Sequence, residues 1–283
     1  MCPLSAKVGD TIRLATFNLD NYLISDRYLD GVWRPAYPKP ESEKDGIRRT
    51  IVELKPDILF VQEIGSFQYL EELRADLALH GLHFTYAVHL EGPDQVRHIA
   101  VLSMLPPVDV VKHAHLSFKY LDRSEKVKRG MLEVSFELPD GVIFKAFGVH
   151  LKSRYTEDKA DPKSHLRRTR EAEVCRNKLI ERTLDLGVEH YMAVGDFNEH
   201  PKGAALRRFS KRGSLNFGIH LPIADGRGHQ WTYFYEKYTT YSQVDGFVLS
   251  EKLLKRVRGQ SGTIADNLSG SDHRLVYLDL ETE

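Results

Sequence analysis

Two rhythms of apolar and polar positions run along this chain. Short runs rich in β-branched and aromatic residues recur: TIRLATF (11–17), DILFVQ (57–62), HIAVLSM (98–104), MLEVSFEL (131–138), VIFKAFGVH (142–150), YMAVG (191–195), VDGFVLS (244–250) and RLVYLDL (274–280). Their length and composition predict strands. ELPDGVIF sets Asp140-Gly141 between two of them, the signal for a two-residue hairpin loop. Elsewhere the period lengthens. Ile47, Ile51 and Leu54 fall at i, i+4 and i+7 before Pro56, which predicts a helix and its stop. Phe67, Leu70, Leu73 and Leu77 line one face of a second helix, with Ser66 placed to cap it and Gly81 to end it. Leu166, Val174 and Leu184 mark a long amphipathic helix whose other face is strongly basic.

Strands that come both as hairpins and separated by helices predict an α+β protein, a mainly antiparallel sheet covered by helices. No linker, repeat or low-complexity tract divides the 283 residues, so a single domain over 1–283 is expected. Irregular stretches at 20–41, 153–163 and 212–230 are long enough to be functional or mobile. RPAYPKPE (34–41), with three prolines, reads as stiff and extended.

Composition narrows the classes. Hydrophobic residues make up 41% and charged residues 28%, the balance of a soluble globular protein. Forty Lys plus Arg cancel 40 Asp plus Glu, which argues against a protein that coats nucleic acid by charge alone. A local basic groove stays open, since residues 145–182 hold 11 Lys or Arg against 6 Asp or Glu. Two cysteines, Cys2 and Cys175, make no disulfide framework, and MCPLSAKVGD lacks a signal-peptide run, so a cytoplasmic location is expected. No stretch approaches the 18 apolar residues of a membrane span, and no protein partner is implied.

The chemistry gathers at strand ends. MAVGDFNEHP stops on Asp196 and Asn198; TIRLATFNLDNY runs into Asn18 and Asp20; DILFVQEI ends on Gln62 and Glu63; FKAFGVHLKSR ends on His150 and Lys152. YSQVDGFVLS begins a strand with Asp245, and SGSDHRLVYLDL sets Asp272 and His273 before the last one. One acid at a strand end is usually a turn former. Six such ends of matching composition argue otherwise, because converging carboxylates repel unless a cation sits among them. Oxygen ligands with few nitrogens favour Mg²⁺ or Mn²⁺ over zinc. Such a set also suits phosphoester hydrolysis, which needs charge neutralisation, an aligned water and help for the leaving oxygen. Blander readings stand beside it. Lys152 suits a solvated strand end equally well. HAH (113–115) puts two histidines on one strand face, without an evident third ligand. Cys175 reads as packing and RRFSKR (207–212) as a solvated face. Trp231, Tyr233 and Tyr235 read as core before base stackers.

GDFN, followed far downstream by SDHR, and preceded by Asn18 after the first strand and QE after the second, resembles the endonuclease/exonuclease/phosphatase superfamily over about residues 12–280. The resemblance implies a four-layer αββα sandwich of two mainly antiparallel sheets flanked by helices. It implies Glu63 as principal Mg²⁺ or Mn²⁺ ligand with Asn18 nearby and Asp272 on the metal side. Asp196 would position or deprotonate the attacking water, and Asn198 would hold that water or a phosphate oxygen. Asp245 would orient His273 against the scissile phosphate, and His150 would bind phosphate or help the leaving group. Arg129, in VKRGMLEV, would contact phosphate, as Lys152 would in the functional reading above. Asp20 resembles a second metal-side acid that many relatives lack. The expected substrate is a phosphoester, and a nuclease, a small-molecule or lipid-head-group phosphoesterase and an inactive scaffold all remain open.

Overall fold

The computed structural model describes residues 10–282; Cys2 lies outside them. In chain order the first half builds β1 (Thr11–Tyr22), α1 (Glu41–Leu54), β2 (Ile58–Ile64), α2 (Phe67–Leu79), β3 (Tyr86–Leu90), β4 (His98–Ser103), β5 (Pro107–His113) and β6 (Met131–Glu137). The second half builds β7 (Ile143–His150), α3 (His165–Arg182), β8 (Tyr191–Asp196), β9 (Ile219–His220), β10 (Ile223–Ala224), β11 (Asp245–Leu249), β12 (Gly262–Ile264) and β13 (Val276–Glu281). Seven strands form one sheet in the order β10-β12-β13-β1-β2-β4-β3, and six form the other, β9-β11-β8-β7-β6-β5.

The predicted strands read as unbroken apolar runs because the central ones are covered on both faces. Leu14, Phe60, Val134, Phe144, Val194 and Phe247 point between the two sheets. Their strand neighbours Ala15, Leu59 and Val61 meet Ile47, Ile51, Leu70, Leu73 and Leu77 of α1 and α2. On the other side Phe147, Val149 and Ala193 meet Ala172, Cys175 and Leu179 of α3. The result is the four-layer αββα sandwich. Each of these large side chains, removed from water, contributes about 1.5–3 kcal/mol. No helix among the described residues is long and apolar enough to cross a membrane.

Several local expectations are corrected. The hairpin loop is Pro139-Asp140-Gly141, three residues, with Gly141 at φ +85° and its N–H on Leu138 O at 2.8 Å; proline opens a turn that glycine must close. Phe67, in the first turn of α2, is 44% exposed rather than on the buried face. Ser66 stands at the N-cap position but makes no side-chain capping bond. At the other end Gly81 and Leu82 return N–H groups to Ala78 and Leu77, which ends the helix as expected. Leu184 lies beyond α3, in a short 3₁₀ turn. Residues 20–41 are not irregular throughout: Ser25–Leu29 and Val32–Tyr37 pair as a hairpin.

The HAH motif is divided as well. His113 ends β5, while His115 lies in the following turn. His113 Nε2 sits 2.8 Å from Glu133, a fully buried acid that also takes Lys145 at 2.6 Å and Arg182 at 2.8 Å. Burial alone would raise the Glu133 carboxyl, but His113, Arg182 and Lys145 outweigh it and hold the pKa at about 2, below the usual 4.5. That depression contributes on the order of 3 kcal/mol above pH 4.5, lost as pH falls from there toward 2. Glu133→Gln is expected to lower unfolding free energy by about that much at pH 7 in urea, with the gap to the wild type shrinking at pH 3. A gap that does not change with pH would show that the charge is not its source.

Candidate active site

Each sheet has one parallel pair at its centre, β1 with β2 and β7 with β8. Parallel strands end on the same edge, so each pair delivers two C-terminal ends to one rim. In the six-stranded sheet His150 is level with Asp196, and Asp196 is level with Asp245 at the start of antiparallel β11. Gly195 makes this pairing possible. Its φ is +136°, and a Cβ there would lie 2.1 Å from Val149 O.

In the seven-stranded sheet the ends are bent into place. The β1–β2 register breaks between Asn18 and Tyr22, and the β2–β4 register breaks between Gln62 and Ile64. Glu63 is the bulged residue, at φ +58°, and Asp20 and Asn21 also have positive φ. Such conformations cost a non-glycine residue about 1–2 kcal/mol each, and bulges beside active sites re-aim side chains. Here Glu63 is turned toward the other sheet. Asn21 N–H donates to Glu63 Oε2 at 3.2 Å, and Arg97 Nε lies 3.6 Å from the same oxygen.

The two rims meet through one amide. Asn18 Nδ2 donates to Asp196 Oδ2 at 3.0 Å and reaches Glu63 Oε1 at 3.5 Å. His150 Nε2 lies 3.5 Å from Asp196 Oδ2 and 3.7 Å from Glu63 Oε1. Asn198, at φ +50°, donates its N–H to Asp196 Oδ1 at 2.7 Å and its amide to Asp196 Oδ2 and Leu151 O, both at 3.0 Å. His273 Nδ1 sits 2.8 Å from Asp245 Oδ2. Ser271 Oγ accepts the His273 N–H at 3.0 Å and donates to Asn18 O at 2.7 Å, locking this loop to β1. Asp272 Oδ1 is 3.8 Å from His273 Nε2.

The charges are strained as one expects of acids without a cation. Burial, then Asp245, pushes Asp196 up to about 7. Partial burial pushes Asp272 upward as well, with Asp20 and Glu63 adding to the shift and His273 opposing it, but its side chain is 44% exposed, so solvent screens the effect. At His273 burial works against the charged ring, but Asp245 outweighs it and holds the pKa well above the ordinary histidine value. Burial, then Arg129, drives His150 well below it, so this ring is neutral at neutral pH.

The remaining expected residues sit at the edge. Arg129 is buried, its Nε 3.2 Å from Asp94 Oδ2, and Nε and Nη1 make no hydrogen bond. Lys152 turns its ammonium to Ser153 and to the Tyr155 carbonyl; burial, then Arg129, brings its pKa down to about 8. Asp20 lies 3.5 Å from Lys39 Nζ.

The donor set fits a hard divalent cation. Ligand atoms of Asp196, Asp245 and His273 all lie within 4.8 Å of one another. Two of these three are already bonded to each other, and a nitrogen suits Mg²⁺ poorly. The side around Glu63 and Asp272 offers carboxylate oxygens and is the better match; Asn18 would join it through Oδ1, which accepts the Asp20 N–H at 3.0 Å, and not through the Nδ2 it turns to the acids. Asp245 Oδ1, buried and without a partner, is a further unsatisfied acceptor in this cleft.

Sequence reasoning missed Arg97, Asn21, Ser271 and Thr232, and it read Tyr233 as core rather than as a neighbour of His273. Thr232 Oγ1 accepts the Asp245 N–H at 3.1 Å, and the Tyr233 ring lies 4.7 Å from His273. Only Ser271 had a visible signal, two residues before His273 in SGSDHR. Trp231, grouped with Tyr233 and Tyr235 by alternation, instead packs on Arg274 at 4.4 Å and Tyr241 at 4.9 Å.

Fold and rim together define a class: the chain belongs to the endonuclease/exonuclease/phosphatase family, whose sequence profile matches residues 15–273. Members of that family are mostly metal-dependent phosphoesterases. The chain is similar in structure to an endonuclease/exonuclease/phosphatase from Bacteroides vulgatus, at 17% identity over 96% of this chain and 99% of that one, with a TM-score of 0.64. It is similar to the human Nocturnin catalytic domain with bound sulfate anion, at 16% identity over 97% and 95%, TM-score 0.65. A Staphylococcus aureus beta toxin variant with bound magnesium ions aligns at 13% identity over 95% and 99%, TM-score 0.64. At these identities the likeness shows the fold. No curated protein matches the sequence.

Proposed function

We propose that this chain is a divalent-metal-dependent phosphoesterase that cuts diesters by in-line attack of water. One observation carries the reading: a single amide, Asn18, touches both Glu63 and Asp196, so an oxygen-rich cation side and a poised acid share one cleft across two sheets. Glu63, Asn18 and Asp272, with Asp20 alongside, would hold Mg²⁺ or Mn²⁺, which when bound neutralises phosphate charge. Asp196, with a pKa near 7, orients the water and takes its proton. Asn198 fixes Asp196 and holds the water or a phosphate oxygen. His273, kept protonated by Asp245, donates to the scissile phosphate from Nε2. His150, neutral, donates a hydrogen bond toward the phosphate or leaving oxygen. Arg129 presents its unsatisfied guanidinium to phosphate, and Lys152 does so by turning from Tyr155.

The test is turnover after EDTA treatment and re-addition of Mg²⁺ or Mn²⁺. Substrates are bis-nitrophenyl phosphate, DNA, RNA, abasic DNA, inositol phosphates and sphingomyelin. Metal-dependent cleavage of at least one diester is expected; inertness toward all of them would end the proposal and leave the scaffold reading. Salt then separates substrates, because nucleic-acid cleavage weakens steeply as salt rises and small-ester cleavage much less. Glu63→Gln is expected to raise the metal concentration for half-maximal activity about tenfold or more, read by metal titration. An unchanged metal requirement would move the ligand role elsewhere.

A further inference from the structure

A lysine ordinarily keeps its ammonium in water, because its four-carbon stem is long enough to reach it. The Lys39 side chain is instead fully buried. Pro38 and Pro40 restrict the backbone on either side of it, just ahead of α1. Its Nζ donates to the Asp20 carbonyl at 2.7 Å and lies 3.0 Å from Glu43 Oε2 and 3.5 Å from Asp20 Oδ2. The other carboxylate oxygen of Asp20, Oδ1, takes the Asn21 amide at 3.1 Å. Both oxygens of Asp20 thus face partners from this chain. A buried ammonium is costly unless acids offset it, and the acids that do so here border one cavity with Asp272.

We propose that Lys39 is a built-in cation that takes the place of a second metal ion, so that this active site holds one. The inference rests on the metal-dependent reading and deepens it. It follows from charge. The charges of Asp20, Glu63 and Lys39 all act on Asp272. Asp20, Glu43, Glu63 and Asp272 bring four negative charges to this side of the cleft. Lys39 answers Asp20 and Glu43, and Arg97 answers Glu63 from 3.6 Å, which leaves two. One divalent ion completes the balance, and a second would meet only its own repulsion. Without Lys39 the sum changes. One divalent ion then leaves an acid unmatched, and converging carboxylates repel until a cation neutralises them. Asp20 and Glu43 would both be free to bind, at the edge of a cavity of about 560 Å³ that has room for a second hydrated ion. In the native chain the ammonium is held by partners on β1 and α1, so this charge cannot be washed out as a metal can. Lys39 acts through the acids, as a positioning residue.

The ions can be counted without turnover. The metal-free full chain is titrated with Mn²⁺, and the free ion is read by electron paramagnetic resonance, which gives the number bound per chain. One ion is expected for the wild type and for Lys39→Arg, and two for Lys39→Met. Asp20→Asn added to Lys39→Met should return the count to one, which locates the second ion at Asp20 rather than elsewhere on the surface. A lysine that only braces the bend of β1 would lower the melting temperature on substitution without moving the count. Melting curves accompany every variant. Lys39→Gln, which keeps a donor for the Asp20 carbonyl, is read in the same way if Lys39→Met does not melt cooperatively. Two ions in the wild type, or one in the variants that lack the charge, would overturn the role of Lys39 and leave the phosphoesterase reading standing. A wild type that binds no Mn²⁺ would overturn the metal-dependent reading itself, and the role of Lys39 with it.

Discussion

Asp196→Asn is expected to cut kcat at least ~10²-fold, the scale of losing a general base, while leaving the fold intact. The substitution keeps the shape of the side chain and one oxygen for the Asn198 N–H, but its new NH2 faces the Asn18 and Asn198 amides that donate to Oδ2, so those amides must turn. What it removes is a proton acceptor. In the metal-free protein a second effect runs the other way. Asp196 is fully buried next to Asp245, and its pKa is raised from 3.8 to about 7. An acid whose folded pKa lies above its unfolded value costs the folded state stability once pH exceeds the unfolded value, and the cost is complete above the folded one. With EDTA present, the stability of Asp196→Asn relative to the wild type should therefore rise between pH 4 and pH 8. Activity and stability moving in opposite directions mark a residue kept for chemistry. Near-normal turnover would remove Asp196 from the role of base. A loss of activity that accompanies loss of melting cooperativity would mean that the change acted on the fold.

The strand ends were legible because their physics is local. An apolar run covered on both faces must stop where polar side chains begin, and Asn18, Glu63, His150, Asp196, Asp245 and His273 all follow or precede such runs. Their meeting was not legible from the runs themselves. Glu63 reaches the cleft through a bulge at positive φ, which no pattern of alternation encodes. Asn21, in the bent end of β1, and Arg97, in the loop before β4, are placed by a long-range contact: Arg97 Nε donates to Asn21 Oδ1 at 2.7 Å across 76 residues. The direction of the Lys152 ammonium follows from the 153–155 loop, which carries no periodic signal. Period two also misled where strands are short. It grouped His113 with His115 and Trp231 with Tyr233, yet a turn separates the first pair and the second pair straddles the start of a three-residue strand. Buried acids were the hardest to read. Glu133 and Glu171 look like surface residues in the sequence, yet each is fully buried, Glu133 by pairing with three cations and Glu171 by accepting the N–H groups of Lys128 and Lys152.

His273→Ala is expected to lower kcat by ~10²–10⁴-fold, the range for removing a proton donor together with its contact to developing charge. The argument turns on Asp245. Its Oδ2 lies 2.8 Å from His273 Nδ1, while its Oδ1 has no partner, so its visible contribution is to hold the imidazole protonated and oriented. If that is its whole contribution, Asp245→Asn costs less than His273→Ala, because the amide oxygen still receives the Nδ1 proton. The double variant should then be no slower than His273→Ala within about threefold, since residues acting as one unit are not additive. The cycle is read as kcat on bis-nitrophenyl phosphate at saturating metal, with melting temperatures alongside. His273→Ala leaves Asp245 buried and alone, so some loss of stability is expected there, and the double variant should recover part of it. Costs that multiply would give Asp245 an independent task, most simply as a ligand for the cation through its free Oδ1, and would shift the metal site toward the six-stranded sheet.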